Sequence, residues 1–238
     1  MELLVDHKSE ITENGFTVLN NVYTNEEVKA IITEIDKADQ SNLTFRKSAD
    51  LFAIRRFLIE VPSIKSLIFN SKLRSIIRAL FGSDYFVVKS IYFDKPEKSN
   101  WFVSWHQDLT LAVNKKADIP GYGPWTTKLD VFAVQPPIDI LQTNFTIRIH
   151  LDNTDDGNGA LKVISGSHDK VYRPENIDWQ IEKETTCEVN AGGIMIMRPL
   201  LMHSSSRSTT SNRRRVVHIE FSKEILQQEI DWAEKGAY

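Results

Sequence analysis

Hydrophobic residues recur at helical spacing early in the chain, in the segment "TNEEVKAIITEIDKA" at residues 24–38. Thr24 followed three residues later by Glu27 is typical of a capping box, in which each side chain bonds the backbone N–H of the other residue. An apolar stripe follows on one helix face, formed by Val28, Ile31, Ile32 and Ile35. The segment therefore predicts an amphipathic helix that covers another surface.

A second segment, "SKLRSIIRALFG" at residues 71–82, has the same pattern. Ser71 is the predicted N-cap and Gly82 the predicted end of the helix. The apolar face consists of Leu73, Ile76, Ile77 and Leu80. Both helices need a surface to pack against.

From Tyr85 onward the pattern changes to short apolar or alternating runs, which are typical of β-strands. The predicted strands are "YFVVKSIYF", "DVFAVQ", "FTIRIHL", "ALKVI", "GIMIM" and "RVVHIEF". Turn-forming residues separate them, most clearly in "DNTDDGNG", and we expect Gly157, Gly159 and Gly166 to serve turns that need positive φ. Helices followed by many short strands predict an α+β fold with a mainly β core, built as a sandwich or barrel.

A chain of 238 residues without an internal repeat or composition break is expected to form one domain. We divide residues 1–238 into a helical flank at about 1–84, a β core at about 85–222 and a C-terminal tail or helix at 223–238. The formal charge of −3 does not indicate a nucleic-acid partner. No signal peptide or membrane-spanning run is recognisable, so we expect a soluble, cytoplasmic protein without a membrane partner. The oligomeric state stays open.

The single cysteine, Cys187, cannot form an intramolecular disulfide and is expected to be a buried strand residue.

Two longer polar segments are predicted to be loops, at residues 109–128 and 204–212. The first is a candidate lid over a binding site, because loops on a rigid scaffold often carry specificity. Its candidate contact residues are Tyr122, Trp125, Thr126 and Lys128.

The segment "SWHQDLT" at residues 104–110 places a histidine and a carboxylate two residues apart. If the segment is extended, His106 and Asp108 point to the same face. Two histidines and one carboxylate can hold iron(II) and leave coordination positions open. His106 and Asp108 supply one of each, so a second histidine is needed. His203 is the best candidate, because it follows the apolar stretch "GIMIMRPLLM" directly before a polar loop.

The other four histidines are weaker candidates. His7 and His168 are expected to be solvated surface residues. His150 and His218 lie within predicted strands, where a hydrogen-bonded structural role competes with a supporting role behind the metal ligands. Beside the pair, we expect Trp105 to pack against the wall of the core and Gln107 to face away from the metal.

Three stretches resemble the phytanoyl-CoA dioxygenase-like family of iron(II)/2-oxoglutarate oxygenases. They are "WHQD", "RIHLDNTDDGNGALKVISGSH" and "MRPLLMHSSSRSTTSNRRRVVHIEF". The resemblance covers about half of the chain and implies a double-stranded β-helix (jelly roll) core. It also implies that His106, Asp108 and His203 bind Fe(II), with 2-oxoglutarate and O2 as co-substrates.

The resemblance further implies an arginine after the distal histidine that holds the far carboxylate of 2-oxoglutarate. Its spacing favours Arg214, although Arg213, Arg215 and Arg207 are nearby. On an extended strand Arg214 shares a face with the polar His218, whereas its two neighbours share the more apolar face. Ser205 matches a family position that assists the same carboxylate, and a plain loop serine is the alternative.

The function implied is oxidative decarboxylation of 2-oxoglutarate to succinate and CO2, coupled to hydroxylation of an unactivated C–H bond in a small molecule. The retained Asp108 argues against halogenation, in which a small residue replaces the carboxylate. The substrate stays open, and Lys89, Arg148 and Arg55 are charged residues that could meet an acidic group of it.

Two alternatives from other classes remain. A non-catalytic metal- or ligand-binding β-barrel would keep the histidines without turnover, and a structural or interaction domain would bind no metal. A zinc hydrolase is disfavoured because the chain has no H-E-x-x-H motif.

Overall fold

A computed structural model describes residues 2–38, 45–48, 52–128 and 131–238 of the chain. Its helices are α1 (Glu2–Glu13), α2 (Asn25–Asp36), α3 (Phe57–Glu60), α4 (Lys65–Ile68), α5 (Ser71–Phe81) and α6 (Ile138–Thr143). Its strands are β1 (Phe16–Leu19), β2 (Phe45–Lys47), β3 (Phe52–Arg55), β4 (Phe86–Lys95), β5 (Val103–His106), β6 (Leu111–Val113), β7 (Trp125–Lys128), β8 (Val131–Val134), β9 (Phe145–His150), β10 (Leu161–Ile164), β11 (Glu184–Cys187), β12 (Ile194–Met197), β13 (His203–Ser205) and β14 (Arg214–Ser222). Within these residues, no helix is both long and apolar enough to span a membrane.

Two antiparallel sheets form the core of the fold. The larger has seven strands in the order β1-β12-β9-β14-β4-β3-β2, and the smaller has four in the order β11-β10-β13-β5. A third sheet, β6-β8-β7, lies beside them. All six predicted strands are present, although Asp130 at the start of one lies outside the described residues. The predicted α+β class with a mainly β core is confirmed.

The alternation of side chains in the large sheet separates two environments. On β12, Ile194 and Ile196 join the hydrophobic cluster that contains the helices, whereas Met195 and Met197 join the cluster shared with the small sheet. Cys187 is buried in that second cluster, on β11. The helices therefore cover one face of the large sheet, and the small sheet faces the other.

Helix α2 begins as the sequence indicates. The Thr24 side chain accepts from the Glu27 backbone N–H, and the Glu27 carboxylate accepts from the Thr24 N–H at 2.8 Å. Helix α5 ends at Gly82 as expected, but its N-cap is Asn70, whose Oδ1 accepts from Leu73 N at 2.8 Å. The prediction of Ser71 as the cap was wrong by one residue.

Several segments differ from the sequence-based expectations. The flank at 1–84 contributes three strands to the large sheet as well as helices, and the tail at 223–238 contains no helix. The segment 109–128 is not simply a loop, because its two ends form β6 and β7 of the third sheet.

Gly159 and Gly166 adopt positive φ, whereas Gly157 does not. A Cβ at Gly157 would lie 2.7 Å from Thr210 Cγ2, so close packing rather than φ requires glycine there.

Helix α5 is joined to the large sheet by stacked aromatic rings. Phe145 is fully buried, with ring centroids 3.7 Å from Phe81 and 4.8 Å from Phe221. We expect Phe145→Ala to lower the free energy of unfolding by about 3–5 kcal/mol, because it removes both contacts and leaves a cavity. Urea denaturation followed by circular dichroism measures this. Ile225→Ala, at a side chain that is 86% exposed, is the control and should stay within about 0.5 kcal/mol of wild type.

The C-terminal tail is tied to β4 through a buried carboxyl group. Glu234 accepts from Ser90 N at 3.1 Å and from Ser90 Oγ at 2.5 Å, and burial raises its pKa to about 7. The pKa of Glu234 is higher in the folded state than in the unfolded chain. Its carboxyl group therefore stabilises the fold fully at low pH, and this contribution to the free energy of unfolding is lost as pH rises toward 7.

We therefore expect Glu234→Gln, which keeps an acceptor for Ser90, to be more stable than wild type at pH 8 by roughly 1–3 kcal/mol. The difference should vanish near pH 4.5. Urea denaturation at both pH values measures it, and a difference that does not depend on pH would contradict the assignment.

Candidate metal centre

The two histidines of the candidate site lie opposite each other on neighbouring strands. His106 ends β5 and His203 begins β13, and the two residues are directly paired in the antiparallel register. Their ring centroids are 4.2 Å apart. Asp108 follows β5 by two residues, and its backbone N–H donates to Pro199 O at 2.8 Å. The structure thus brings together the three residues that are predicted from sequence to be metal ligands.

The ligand-type atoms of these three side chains all lie within 4.8 Å of one another. Asp108 Oδ1 is 3.9 Å from His106 Nε2, and Asp108 Oδ2 is 4.0 Å from His203 Nε2. These distances are too long for hydrogen bonds. The side chains therefore converge on a common point without bonding to each other, as a metal-binding triad would.

The opposite ring nitrogen of each histidine contacts a backbone carbonyl. His106 Nδ1 lies 2.8 Å from Ser104 O, and His203 Nδ1 lies 2.8 Å from Leu201 O. Because a carbonyl only accepts, each Nδ1 carries the proton and donates it. Each Nε2 consequently presents a lone pair toward Asp108, which is the arrangement common in metal-bound histidines.

The electrostatic environment favours the protonation states that bind metals. Burial, together with the neighbouring His106, lowers the pKa of His203 to about 4, although Asp108 acts in the opposite direction. Burial alone would raise the pKa of Asp108, but His203, Lys89 and the other nearby basic groups bring it well below its ordinary value. At neutral pH His203 is neutral and Asp108 is ionised, as ligation requires.

The triad opens into a cavity of about 230 Å³ between the two sheets. The small sheet contributes Val103, His106, Leu161, His203 and Ser205. The large sheet contributes Lys89, Ile91, Phe93, Arg148, Arg214 and His218. Asp108 and Trp101 complete the lining.

Arg214 lies in the wall of this cavity and is 3% exposed. One terminal nitrogen donates to Gly159 O and the other lies 3.5 Å from Ser205 Oγ, which itself donates to Gly159 O at 2.9 Å. The Arg214 Nε is buried without a hydrogen-bond partner among the described residues. Burial, with repulsion from Arg148, lowers the pKa of Arg214 to about 9.

The two neighbouring arginines point elsewhere. Arg213 binds Asp94 with two nitrogens at 2.8 and 2.5 Å, and Arg215 binds Asp152 at 2.9 and 2.6 Å. This agrees with the alternation argued from sequence. Arg207 stacks on Phe102, with its guanidinium carbon 4.2 Å from the ring centroid.

A hydrogen-bonded chain of polar residues runs along the large-sheet wall. Lys89 Nζ donates to Glu220 Oε1 at 2.6 Å, and the same oxygen lies 3.1 Å from His218 Nε2. His218 Nδ1 in turn lies 3.1 Å from an Arg148 terminal nitrogen. The sequence analysis names Lys89, Arg148 and His218, but the cross-strand register that links them cannot be derived from sequence alone.

A second group, formed by Asp108, His218 and Glu220, also has ligand-type atoms within 4.8 Å of one another. Its members fit a metal less well, because His218 contacts Arg148 and Glu220 already accepts from Lys89. Of these two groups, only the triad with His106 and His203 combines free Nε2 atoms with a carboxylate.

Lys95 was missed by sequence reasoning. It is 1% exposed at the end of β4, and its Nζ donates to Ser206 O at 2.6 Å. Burial and the charge of Arg214 lower its pKa to about 8. A Cβ at Gly159 would lie 2.6 Å from both Lys95 Nζ and Ser206 O, and 3.4 Å from Ser205 Oγ. This glycine therefore allows the three polar groups to assemble. A lysine at a strand end gives no sequence signal for such burial.

The remaining histidines lie outside the cavity lining. His150 is buried and its Nδ1 contacts Thr154 Oγ1 at 2.7 Å. The expectation that His168 is a solvated surface residue was wrong, because it is 9% exposed and packs against Gly15. His7 is partly buried, and its Nδ1 lies 2.7 Å from Thr17 Oγ1.

The residues that flank His106 have structural contacts. Trp105 packs with Trp179 at 5.4 Å between centroids. Gln107 donates to Lys170 O at 2.8 Å and to Leu200 O, and its Oε1 accepts from Tyr172 N at 2.7 Å. Both sets of contacts agree with the roles expected from sequence.

The candidate lid residues are not part of the lining of the metal cavity. Tyr122 and Trp125 are partly buried and pack against a separate hydrophobic cluster, and Thr126 is exposed. The side chain of Lys128 lies outside the described part of the chain. Arg55 lines a neighbouring cavity of about 190 Å³ that shares Lys89 and Ile91 with the metal cavity.

Solved structures similar to this chain include two that are described as non-heme and alpha-ketoglutarate dependent. The alpha-ketoglutarate-dependent carbocyclase SnoK from nogalamycin biosynthesis is 14% identical with a TM-score of 0.70, covering 91% of this chain and 83% of that chain. The epimerase SnoN, in complex with Fe3+, alpha-ketoglutarate and nogalamycin RO, is 12% identical with a TM-score of 0.70, covering 99% and 95%. HygX from Streptomyces hygroscopicus, with nickel, 2-oxoglutarate and hygromycin B bound, is 14% identical with a TM-score of 0.64, covering 91% and 86%. At these identities the likeness shows a common fold, that of the double-stranded β-helix oxygenases.

No curated protein matches the sequence significantly. The family described as phytanoyl-CoA dioxygenase (PhyH) matches residues 11–216, which include His106, Asp108 and His203. Since this match extends over most of the sequence, the chain belongs to the phytanoyl-CoA dioxygenase (PhyH) family of iron- and 2-oxoglutarate-dependent oxygenases.

Proposed function

We propose that the protein is an Fe(II)- and 2-oxoglutarate-dependent hydroxylase of a small-molecule substrate. The observation that carries the proposal is the convergence of two free imidazole Nε2 atoms and one carboxylate beside a buried arginine that has no carboxylate partner among the described residues. Two histidines and a carboxylate on one face of an iron leave open positions for a co-substrate and dioxygen. When bound, iron and 2-oxoglutarate would supply the oxidising chemistry, in which O2 is consumed, CO2 and succinate are released and one oxygen atom enters a C–H bond.

The protein would hold the metal through His106, Asp108 and His203. The carbonyls of Ser104 and Leu201 fix the orientation of the two rings, because each accepts the Nδ1 proton. Asp108 supplies a negative charge beside the two rings. This donor set suits a divalent iron better than a structural zinc, which usually has four protein ligands.

Arg214 would hold the far carboxylate of 2-oxoglutarate, and Ser205 would donate to the same group after releasing Gly159 O. A planar guanidinium pairs bidentately with a carboxylate. The support is that Arg214 lines the cavity, whereas Arg213 and Arg215 are already paired with aspartates. The apolar side chains of Ile91, Phe93 and Val103 would limit water around the reacting groups.

Hydroxylation is the outcome that Asp108 favours, because the carboxylate occupies the position that a halide would need. The similar structures SnoK and SnoN are described as a carbocyclase and an epimerase, so the same fold also supports other oxidations. Product analysis by mass spectrometry distinguishes them, since hydroxylation adds one oxygen atom to the substrate.

Replacing a metal ligand tests the proposed metal centre. We expect His203→Ala to weaken Fe(II) binding by more than about 100-fold, because even the partners behind metal ligands contribute 10–100-fold. Anaerobic titration with Fe(II) measures this. His168→Ala is the matched control, since His168 is also a buried histidine but lies outside the metal cavity. Equal loss of iron in both variants would contradict the assignment.

The consecutive arginines allow a controlled test of the co-substrate site. In anaerobic Fe(II)-loaded protein, 2-oxoglutarate chelation gives a weak visible charge-transfer band. We expect Arg214→Gln to weaken 2-oxoglutarate binding by about 10–150-fold, the equivalent of one charge-assisted hydrogen-bonded pair.

Arg215→Gln, which breaks a pair with Asp152, should leave the affinity within about threefold of wild type while lowering stability. The same affinity in Arg214→Gln as in wild type would refute the choice of arginine. A chelate that forms normally without decarboxylation in the presence of any substrate would instead favour a non-catalytic binding protein.

A further inference from the structure

A second arginine in this cavity has no carboxylate partner among the described residues. Arg148 lies in the middle of β9, is 7% exposed and lines the cavity. In the described part of the chain, no carboxylate lies within 4 Å of its guanidinium, and its buried Nε has no hydrogen-bond partner. An uncompensated buried charge is strongly unfavourable, so a ligand is the natural source of the missing negative charge.

Among the described residues, the Arg148 guanidinium is hydrogen-bonded to the ring of His218 at 3.1 Å. An arginine nitrogen can only donate, so His218 Nδ1 accepts and the proton of His218 lies on Nε2, directed at Glu220. His218 therefore orients Arg148 without neutralising it.

The other cations at the cavity are accounted for. Lys89 is paired with Glu220 at 2.6 Å. Arg214 is the proposed partner of the far carboxylate of 2-oxoglutarate. Asp108 is the negative group whose charge acts on Arg148, but it is a proposed metal ligand. Of the three cationic side chains that line the cavity, Arg148 is the one without an assigned anion.

Arg148 and Arg214 occupy separate positions in the wall. In the sheet register Arg148 lies opposite His218, four residues along β14 from Arg214. At about 3.3 Å per residue, the two backbone positions are roughly 13 Å apart along the strand direction. The two arginines therefore enter the cavity from different positions along the sheet.

We propose that Arg148 binds a carboxylate of the primary substrate, so that the enzyme oxidises a small organic acid. This inference rests on the proposed oxygenase function and specifies its substrate class. The planar guanidinium favours a carboxylate, because two parallel N–H groups match its two oxygens. The nearby Ile91, Phe93, Trp101 and Val103 give the remainder of the acid an apolar surface.

The test compares acids with their neutral amides in the Fe(II)- and 2-oxoglutarate-loaded protein under anaerobic conditions. The probes are hexanoate with hexanamide and 3-phenylpropanoate with 3-phenylpropanamide, and the readout is the perturbation of the chelate band. We expect at least one acid to bind about tenfold or more tightly than its amide, as a charge-assisted pair would give. Arg148→Gln should abolish this preference, and Arg148→Lys should retain part of it.

Three results separate the possibilities. Equal binding of acids and amides by the wild type would overturn the inference while leaving the oxygenase proposal intact. A loss of 2-oxoglutarate affinity of about tenfold in Arg148→Gln, without a change in the acid preference, would assign Arg148 to 2-oxoglutarate instead. Absence of the chelate band in the wild type would count against the oxygenase function itself. Arg148→Met serves as a second neutral variant if the glutamine variant does not fold.

Discussion

The site depends on the antiparallel pairing of β5 with β13, which sets His106 opposite His203. A slip of one residue would turn one histidine away from the other, because side chains alternate between the faces of a strand. Gln107 opposes such a slip from the other side of the strand, since its amide bonds the backbone at Lys170, Leu200 and Tyr172. The ligands of the proposed metal centre are therefore positioned by a residue that faces away from it.

The large sheet supplies the polar half of the cavity through the same alternation. On β14 the outward residues Val217, Ile219 and Phe221 pack under the helices, and the inward residues include Arg214 and His218. The helices thus bury one face of the sheet and allow charged groups to be held rigidly on the other. Buried charges of this kind are costly unless a ligand or an internal partner compensates them, which links the packing of the fold to its chemistry.

Local sequence patterns were sufficient for the features that neighbouring residues determine. The capping box at Thr24 follows from residue types at a fixed spacing, and the apolar strands and the inward face of Arg214 follow from periodicity. β5 and β13 were not predicted, because each has only three or four residues and polar side chains interrupt the apolar run that marks short strands such as β10 and β12. His168 appeared to be a surface residue because its covering partner, Gly15, is distant in the chain. The unpaired charge of Arg148 likewise cannot be read from sequence, because it follows from the lack of a carboxylate near its guanidinium in the described part of the fold.

The most direct test is a crystal structure of the anaerobic complex with Fe(II) and 2-oxoglutarate, with anomalous scattering at the iron edge to locate the metal. We expect one iron bound by His106 Nε2, His203 Nε2 and an Asp108 oxygen, and the far carboxylate of 2-oxoglutarate against Arg214. Iron bound instead by Asp108, His218 and Glu220, or no iron between the two sheets, would contradict the account.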